Sequence, residues 1–138
     1  MKFKTLFPAL LLAGLLLAVA AALRLAEGNG MIDADTARRG VQVAIGLILA
    51  GFANRMPKQI RRWRGTAADA REQRALRVGG WSLTLAGLVH AGLWAFAPLA
   101  VADTLAMVVV ATATLITLGY ALWAMVLCRA ADAGSTHA

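Results

Sequence analysis

The sequence has few charged residues for its length. Only 15% of its 138 residues are charged, against about 25% in an average soluble domain. A single cysteine and three prolines exclude a disulfide-stapled secreted domain and a collagen-like chain. Because 60% of the residues are hydrophobic, a disordered chain is excluded as well. This composition is typical of an integral membrane protein.

Four long apolar blocks hold most of the hydrophobic residues. A helix needs about 20 apolar residues to cross a hydrocarbon core roughly 30 Å thick, and half-buried strands would alternate polar and apolar residues instead. The sequence therefore predicts an all-α membrane protein, a single domain of four transmembrane helices in a compact bundle. The expected helices cover about residues 6–26, 35–56, 78–98 and 103–127. Asp33 or Asp35 is expected to cap the second helix.

The first block also resembles a signal peptide. Lys2 and Lys4 form a basic start, and Ala18-Val19-Ala20 is similar to a signal-peptidase site. The apolar run is long for a signal peptide, so a retained transmembrane helix is the preferred interpretation.

The basic residues are divided unequally between the two sides of the predicted bundle. Eleven fall on one side and three on the other. The eleven are Lys2, Lys4, Arg55, Lys58, Arg61, Arg62, Arg64, Arg71, Arg74, Arg77 and Arg129, and the three are Arg24, Arg38 and Arg39. The positive-inside rule places both termini in the cytoplasm of a bacterial-type inner membrane. The loop Glu27–Arg39 and a turn at Leu99–Asp103 are expected to face outward.

The predicted cytoplasmic loop, residues 57–77, has seven basic and two acidic residues. Its basic stretch with Trp63 suits an anionic lipid surface. Thr66 can cap a helix whose part Ala67–Arg77 is amphipathic and leads into the third span. The loop is interpreted as a solvated topological signal or as a docking surface for a cytoplasmic partner. Nucleic acid is not an expected partner, since the charge is confined to this one stretch and no recognition helix accompanies it.

His90 is the intramembrane polar candidate. An ionisable side chain at bilayer depth is costly and is a functional hypothesis by default. The preferred alternative is a neutral imidazole bonded to a hydroxyl of the fourth helix: Thr112, Thr114 or Thr117. One intramembrane histidine cannot supply the three or four protein ligands of an ordinary metal site, so no metal and no other cofactor is expected.

Small residues recur at four-residue spacing on three of the predicted helices. The ladders are Gly14, Ala18, Ala22 and Ala26; Gly46, Ala50 and Asn54; and Gly87, Ala91 and Ala95. Such ladders let helices approach closely. They fit a compact monomer and a homo-oligomer equally well.

A cluster around the loop has a more specific pattern. Gly51-Phe-Ala-Asn54-Arg-Met-Pro57-Lys58 closes the second helix, and Arg74-Ala-Leu-Arg77-Val-Gly79-Gly80-Trp81 opens the third. Over Gly51–Ala95 this resembles the sporulation-delaying-protein (Sdp) toxin immunity family. The resemblance implies a small polytopic protein that protects against a membrane-active peptide toxin and signals through a cytoplasmic protein. The family's Gly-Ile-Arg-Thr-Pro-Trp element is absent here, and residues 61–66 occupy its place.

The cluster supplies the candidate partner-binding residues. They are Asn54, Pro57, Lys58, Arg74, Arg77 and Trp81. The alternative is a helix-ending device, because Pro57 disfavours helix at the preceding residue and Lys58 can reach the headgroups.

Three classes of function are compatible with the sequence. The first is a non-enzymatic immunity or signalling protein that acts through its cytoplasmic loop. The second is a small transporter or channel subunit that uses His90. The third is a four-helix membrane enzyme resembling the eicosanoid and glutathione metabolism family in size and helix count. The cluster of Asn54, Pro57 and Lys58 favours the first class. Since no set of catalytic residues is recognisable, no catalytic residue is predicted.

Overall fold

Four helices make up the computed structural model, which describes residues 3–55 and 67–135. They are α1 (Phe3–Gly28), α2 (Ala34–Ala53), α3 (Ala67–Phe96) and α4 (Leu99–Ser135), and no strand occurs in those ranges. The all-α prediction is thereby confirmed. Two helices contain segments long and apolar enough to cross a membrane, Leu10–Gly28 in α1 and Leu99–Val126 in α4.

The short connection between α3 and α4 differs from the predicted one. The expected turn at Leu99–Asp103 is wrong, because those residues form the start of α4. The Pro98 carbonyl accepts hydrogen bonds from the backbone N–H groups of Val101 and Ala102, at 3.0 and 2.9 Å. Proline lacks an N–H, which costs nothing where a helix begins. Pro98 therefore immediately precedes a helix that begins at Leu99, ahead of the start that was predicted at about residue 103.

The ends of α2 and α3 that flank the predicted loop differ from the predicted ends. Helix α2 ends at Ala53, before the expected Met56, while α3 begins at Ala67. The second part of the predicted loop is therefore helical, as the amphipathic pattern of Ala67–Arg77 indicated. Met56 and the proposed cap Thr66 lie outside the described residues.

Two caps define the connection between α1 and α2. Gly30, with a φ of +71°, lets the Met31 N–H reach the Ala26 carbonyl at 2.9 Å, which closes the end of α1. Asp33 caps α2 by accepting from the Thr36 N–H at 3.3 Å and from the Thr36 hydroxyl. The bond from the hydroxyl is the main cause that lowers the pKa of Asp33. Since the folded-state pKa is depressed, this cap is intact at neutral pH and is lost as the pH falls through that pKa.

The helices pack in chain order, α1 on α2, α2 on α3 and α3 on α4. Most of the buried side chains are small. The buried hydrophobic residues in the described ranges are Ala37, Ala50, Ala53, Ala86, Ala91, Trp94, Ala102, Ala106 and Ala113. Trp94, which is 1% exposed, is the largest of them and contacts Ala102 and Ala106 of α4 within one cluster. The core therefore depends on close backbone approach around one large side chain.

Helices α2 and α3 approach each other closely at Gly46 and Gly87. A Cβ added to Gly46 would lie 2.7 Å from the Gly87 carbonyl oxygen, and one added to Gly87 would lie 2.6 Å from the Gly46 carbonyl oxygen. Both distances are shorter than real Cβ contacts. Ala50 and Ala91 are buried beside them. Two of the predicted ladders thus meet here, whereas a Cβ added to Gly14 of the α1 ladder would meet nothing within 4 Å.

We expect Gly87→Ala to lower the free energy of unfolding by about 1–3 kcal/mol, because the new methyl group would force α2 and α3 apart. Gly92→Ala on the same helix is the matched control, since a Cβ there meets nothing within 4 Å. It should leave stability unchanged or raise it by up to about 1 kcal/mol through helix propensity. Denaturant unfolding of both variants in detergent, followed by circular dichroism, measures the difference. Equal stability of the two variants would contradict the close contact.

Candidate functional site

Polar side chains from three helices meet at one end of the α2–α3–α4 bundle. We call this group the polar cluster, and its members are Arg38, Arg39, Gln42, His90, Trp94 and Asp103. They come from the beginning of α2, the end of α3 and the beginning of α4.

Arg39 connects α2 to the end of α3. Its Nη1 group donates to the Trp94 carbonyl at 2.8 Å and to the Ala97 carbonyl at 2.9 Å. The last carbonyls of a helix have no partner within the helix, and a cation is favourable near them because of the helix dipole. The half-buried Arg39 thus caps α3 from the neighbouring helix.

Arg38 connects the same end of α2 to α4. Its Nη2 donates to Oδ1 of Asp103 at 3.3 Å, and its guanidinium carbon lies 5.2 Å from the centroid of the Trp94 ring. The Arg38 and Asp103 side chains are each about half exposed. Solvent screening makes such an ion pair weak, so it orients side chains more than it stabilises the fold.

The imidazole of His90 pairs with Gln42 of α2. His90 Nε2 lies 3.3 Å from Gln42 Oε1, and the tautomer that suits an amide oxygen carries its proton on Nε2. The side chains of residues 42 and 90 lie beside the contact of Gly46 with Gly87, one turn away on each helix. The close approach of the α2 and α3 backbones at Gly46 and Gly87 therefore allows the side chains of Gln42 and His90 to meet.

The predicted threonine partners of His90 are wrong. The hydroxyls of Thr112, Thr114 and Thr117 each donate at 2.8 Å to the carbonyl four residues earlier in α4. Threonine within a helix commonly satisfies its hydroxyl in this way. Gln42 was missed, although an uncharged amide one turn before Gly46 in a mostly apolar block was a usable signal.

Two buried nitrogen atoms of the polar cluster have no hydrogen-bond partner in the described part of the chain. They are His90 Nδ1 and Trp94 Nε1. Both residues line a cleft of about 430 Å³ that also involves Gln42 and Asp103. Buried polar atoms are normally paired in proteins, so unpaired ones beside a cleft mark a place where a bound molecule can complete the bonding.

The predicted partner-binding residues lie far along α3 from this cluster or outside the described ranges. Arg74, Arg77 and Trp81 are exposed on α3, and Asn54 follows the last residue of α2. The Asn54 backbone N–H donates to the Ala50 carbonyl at 3.0 Å. Within residues 3–55 and 67–135, no hydrogen bond joins Asn54 to Arg74 or Arg77. Pro57 and Lys58 lie outside the described residues.

We expect Arg39→Met to lower the free energy of unfolding by about 1.5–3 kcal/mol, because hydrogen bonds from a charged donor to the carbonyls that end α3 are lost. Arg38→Met is the matched control on the adjacent residue. It should cost less than about 1 kcal/mol, since its ion pair is half exposed. Denaturant unfolding in detergent compares the two. A larger loss from Arg38→Met would show that the cap by Arg39 does not hold the helix end.

No family model, curated protein or solved structure matches the chain. The resemblance to the Sdp toxin immunity family therefore stays a prediction.

Proposed function

We propose that the chain is a multi-pass protein of a bacterial-type inner membrane, with four membrane-spanning helices and both termini in the cytoplasm. The apolar segments of α1 and α4 support two of the spans. Large apolar side chains on them are exposed, including Leu17 and Leu115 at 70% each. Such surface is costly in water and is suited to lipid.

Packing along α4 supports a membrane position for α3 and α2. A Cβ on Gly79 would lie 2.9 Å from Thr117 Cγ2, and Trp94 packs with Ala102. Helix α3 therefore runs antiparallel to α4 along most of its apolar segment. Because α2 packs on α3 in turn, the pair would cross the bilayer together with α4.

Within that topology we propose a non-enzymatic protein of immunity or signalling type, related to the Sdp toxin immunity family. The observation that carries this proposal is the exposed face of Arg74, Arg77 and Trp81. Residues three and four apart share one face of a helix, and α3 continues to Ala67, about 16 Å beyond Val78 at 1.5 Å per residue. This face would lie at the cytoplasmic surface. It is suited to anionic headgroups and to a cytoplasmic protein or a peptide toxin.

A small transporter or channel subunit is the second candidate. The observation that favours it is the position of His90, which pairs with Gln42 and lines a cleft. Loss of a transport activity in His90→Ala, with Arg74 and Arg77 dispensable, would favour this candidate over the first.

We expect the double variant Arg74→Ala/Arg77→Ala to lose a specific partner on affinity purification from native membranes. Two charge-assisted contacts are worth enough to lower recovery by about tenfold or more. The matched control is Arg24→Ala/Arg38→Ala, which removes two cations at the other end of the bundle and should keep the partner. Quantitative mass spectrometry compares both variants with the wild type. Identical sets of bound proteins from all three forms would contradict a docking role for this face.

A further inference from the structure

We propose that the cleft between α2, α3 and α4 binds an uncharged amphipathic molecule from the membrane, whose hydroxyl head bonds to both His90 and Trp94. This site is at the opposite end of α3 from the face of Arg74, Arg77 and Trp81. It is therefore independent of the docking role proposed above.

The two unpaired nitrogen atoms define the head of the ligand. Trp94 Nε1 can only donate a hydrogen bond. With Nε2 of His90 donating to Gln42, Nδ1 of His90 is left as an acceptor. A single hydroxyl can accept from the indole and donate to the imidazole, whereas a carbonyl or ether oxygen can only accept and an ammonium group can only donate. The two nitrogen atoms together therefore favour a group that both donates and accepts a hydrogen bond.

The rest of the cleft defines the body of the ligand. Its other lining residues are mainly apolar and include Ile45, Leu49, Ala106, Met107 and Val110. Its volume of about 430 Å³ lies within the range of roughly 300–1,000 Å³ of small-molecule pockets, well above the roughly 30 Å³ share of one water. A hydroxyl with an apolar chain fills both parts, which water alone does not.

The route of entry follows from which side chains border the cleft. Met107 is 71% exposed on α4 and belongs to the lining. The cleft is therefore open on an apolar flank of the bundle. If that flank faces lipid, the ligand enters from the bilayer.

The charged residues near the cleft favour an uncharged head. Asp103 lines the cleft but is paired with Arg38 at 3.3 Å. An anionic or cationic head would have to compete with this pair. The Arg38 guanidinium also lies over the Trp94 ring, the surface on which a cationic ligand would otherwise stack. An alcohol needs none of these contacts to change.

The test uses two probes with the same decyl chain, 1-decanol and its methyl ether 1-methoxydecane, in which a methyl group replaces the hydrogen-bond donor. The wild-type protein in lipid nanodiscs, with ¹⁵N-labelled tryptophan, is titrated with each probe, and the Trp94 indole resonance is followed. We expect a saturable downfield shift of the indole proton with 1-decanol and an apparent affinity about tenfold weaker for 1-methoxydecane. The indole of Trp123, which is exposed on α4, should show no saturable shift.

Two variants separate the site from unspecific partitioning. His90→Phe removes the acceptor, so 1-decanol should then bind no better than 1-methoxydecane. Thr112→Val is the control, because the Thr112 hydroxyl bonds within α4, and it should preserve the difference between the probes. Should His90→Phe fail to fold, the wild-type protein with ¹⁵N-labelled histidine reports the same contact through Nδ1 of His90, which should shift with 1-decanol and not with 1-methoxydecane. Equal affinity of the two probes for the wild type, or no saturable shift with 1-decanol, would overturn the proposal.

Discussion

The polar cluster depends on the direct backbone contact between Gly46 and Gly87. Each glycine occupies a place where a Cβ would lie within 2.7 Å of the opposing carbonyl oxygen, so no larger residue allows α2 and α3 the same distance. At that distance Gln42 reaches His90 at 3.3 Å, and Arg39 reaches the carbonyls that end α3. Glycine is a poor helix former by about 1 kcal/mol relative to alanine. Both glycines therefore lower the intrinsic stability of their helices, and the contact between α2 and α3 requires both of them.

This construction agrees with a chain that folds in lipid. Lipid tails are as apolar as leucine, so association in a bilayer relies on close packing and hydrogen bonds. The buried side chains are mostly alanine, with Trp94 as the single large one in the described ranges. The larger aliphatic side chains of α1 and α4 remain exposed. In water this arrangement would expose the large apolar side chains to solvent. In a bilayer the same side chains would contact acyl chains, and the polar cluster would lie between helices.

Sequence patterns predict the elements of this fold better than their partners. Long apolar blocks and the amphipathic stretch Ala67–Arg77 were sufficient for the helices, because composition and periodicity are local properties. The start of α4 was predicted at about residue 103 instead of Leu99, because a proline can precede a helix as well as interrupt one. The four-residue ladders could not show which glycine meets another, because Gly14 and Gly46 look alike in spacing and differ only in what packs on them. Partners of His90 depend on that packing, and therefore Gln42 was missed.

The most direct test of this account is proton-detected solid-state NMR of the uniformly labelled protein in lipid bilayers. It measures through-space contacts between Hα protons of the glycines. We predict a cross-peak between Gly46 and Gly87, accompanied by contacts between the side chains of Gln42 and His90. Gly46 and Gly87 that each show cross-peaks to lipid acyl chains and none to each other would contradict the α2–α3 contact and the polar cluster that depends on it.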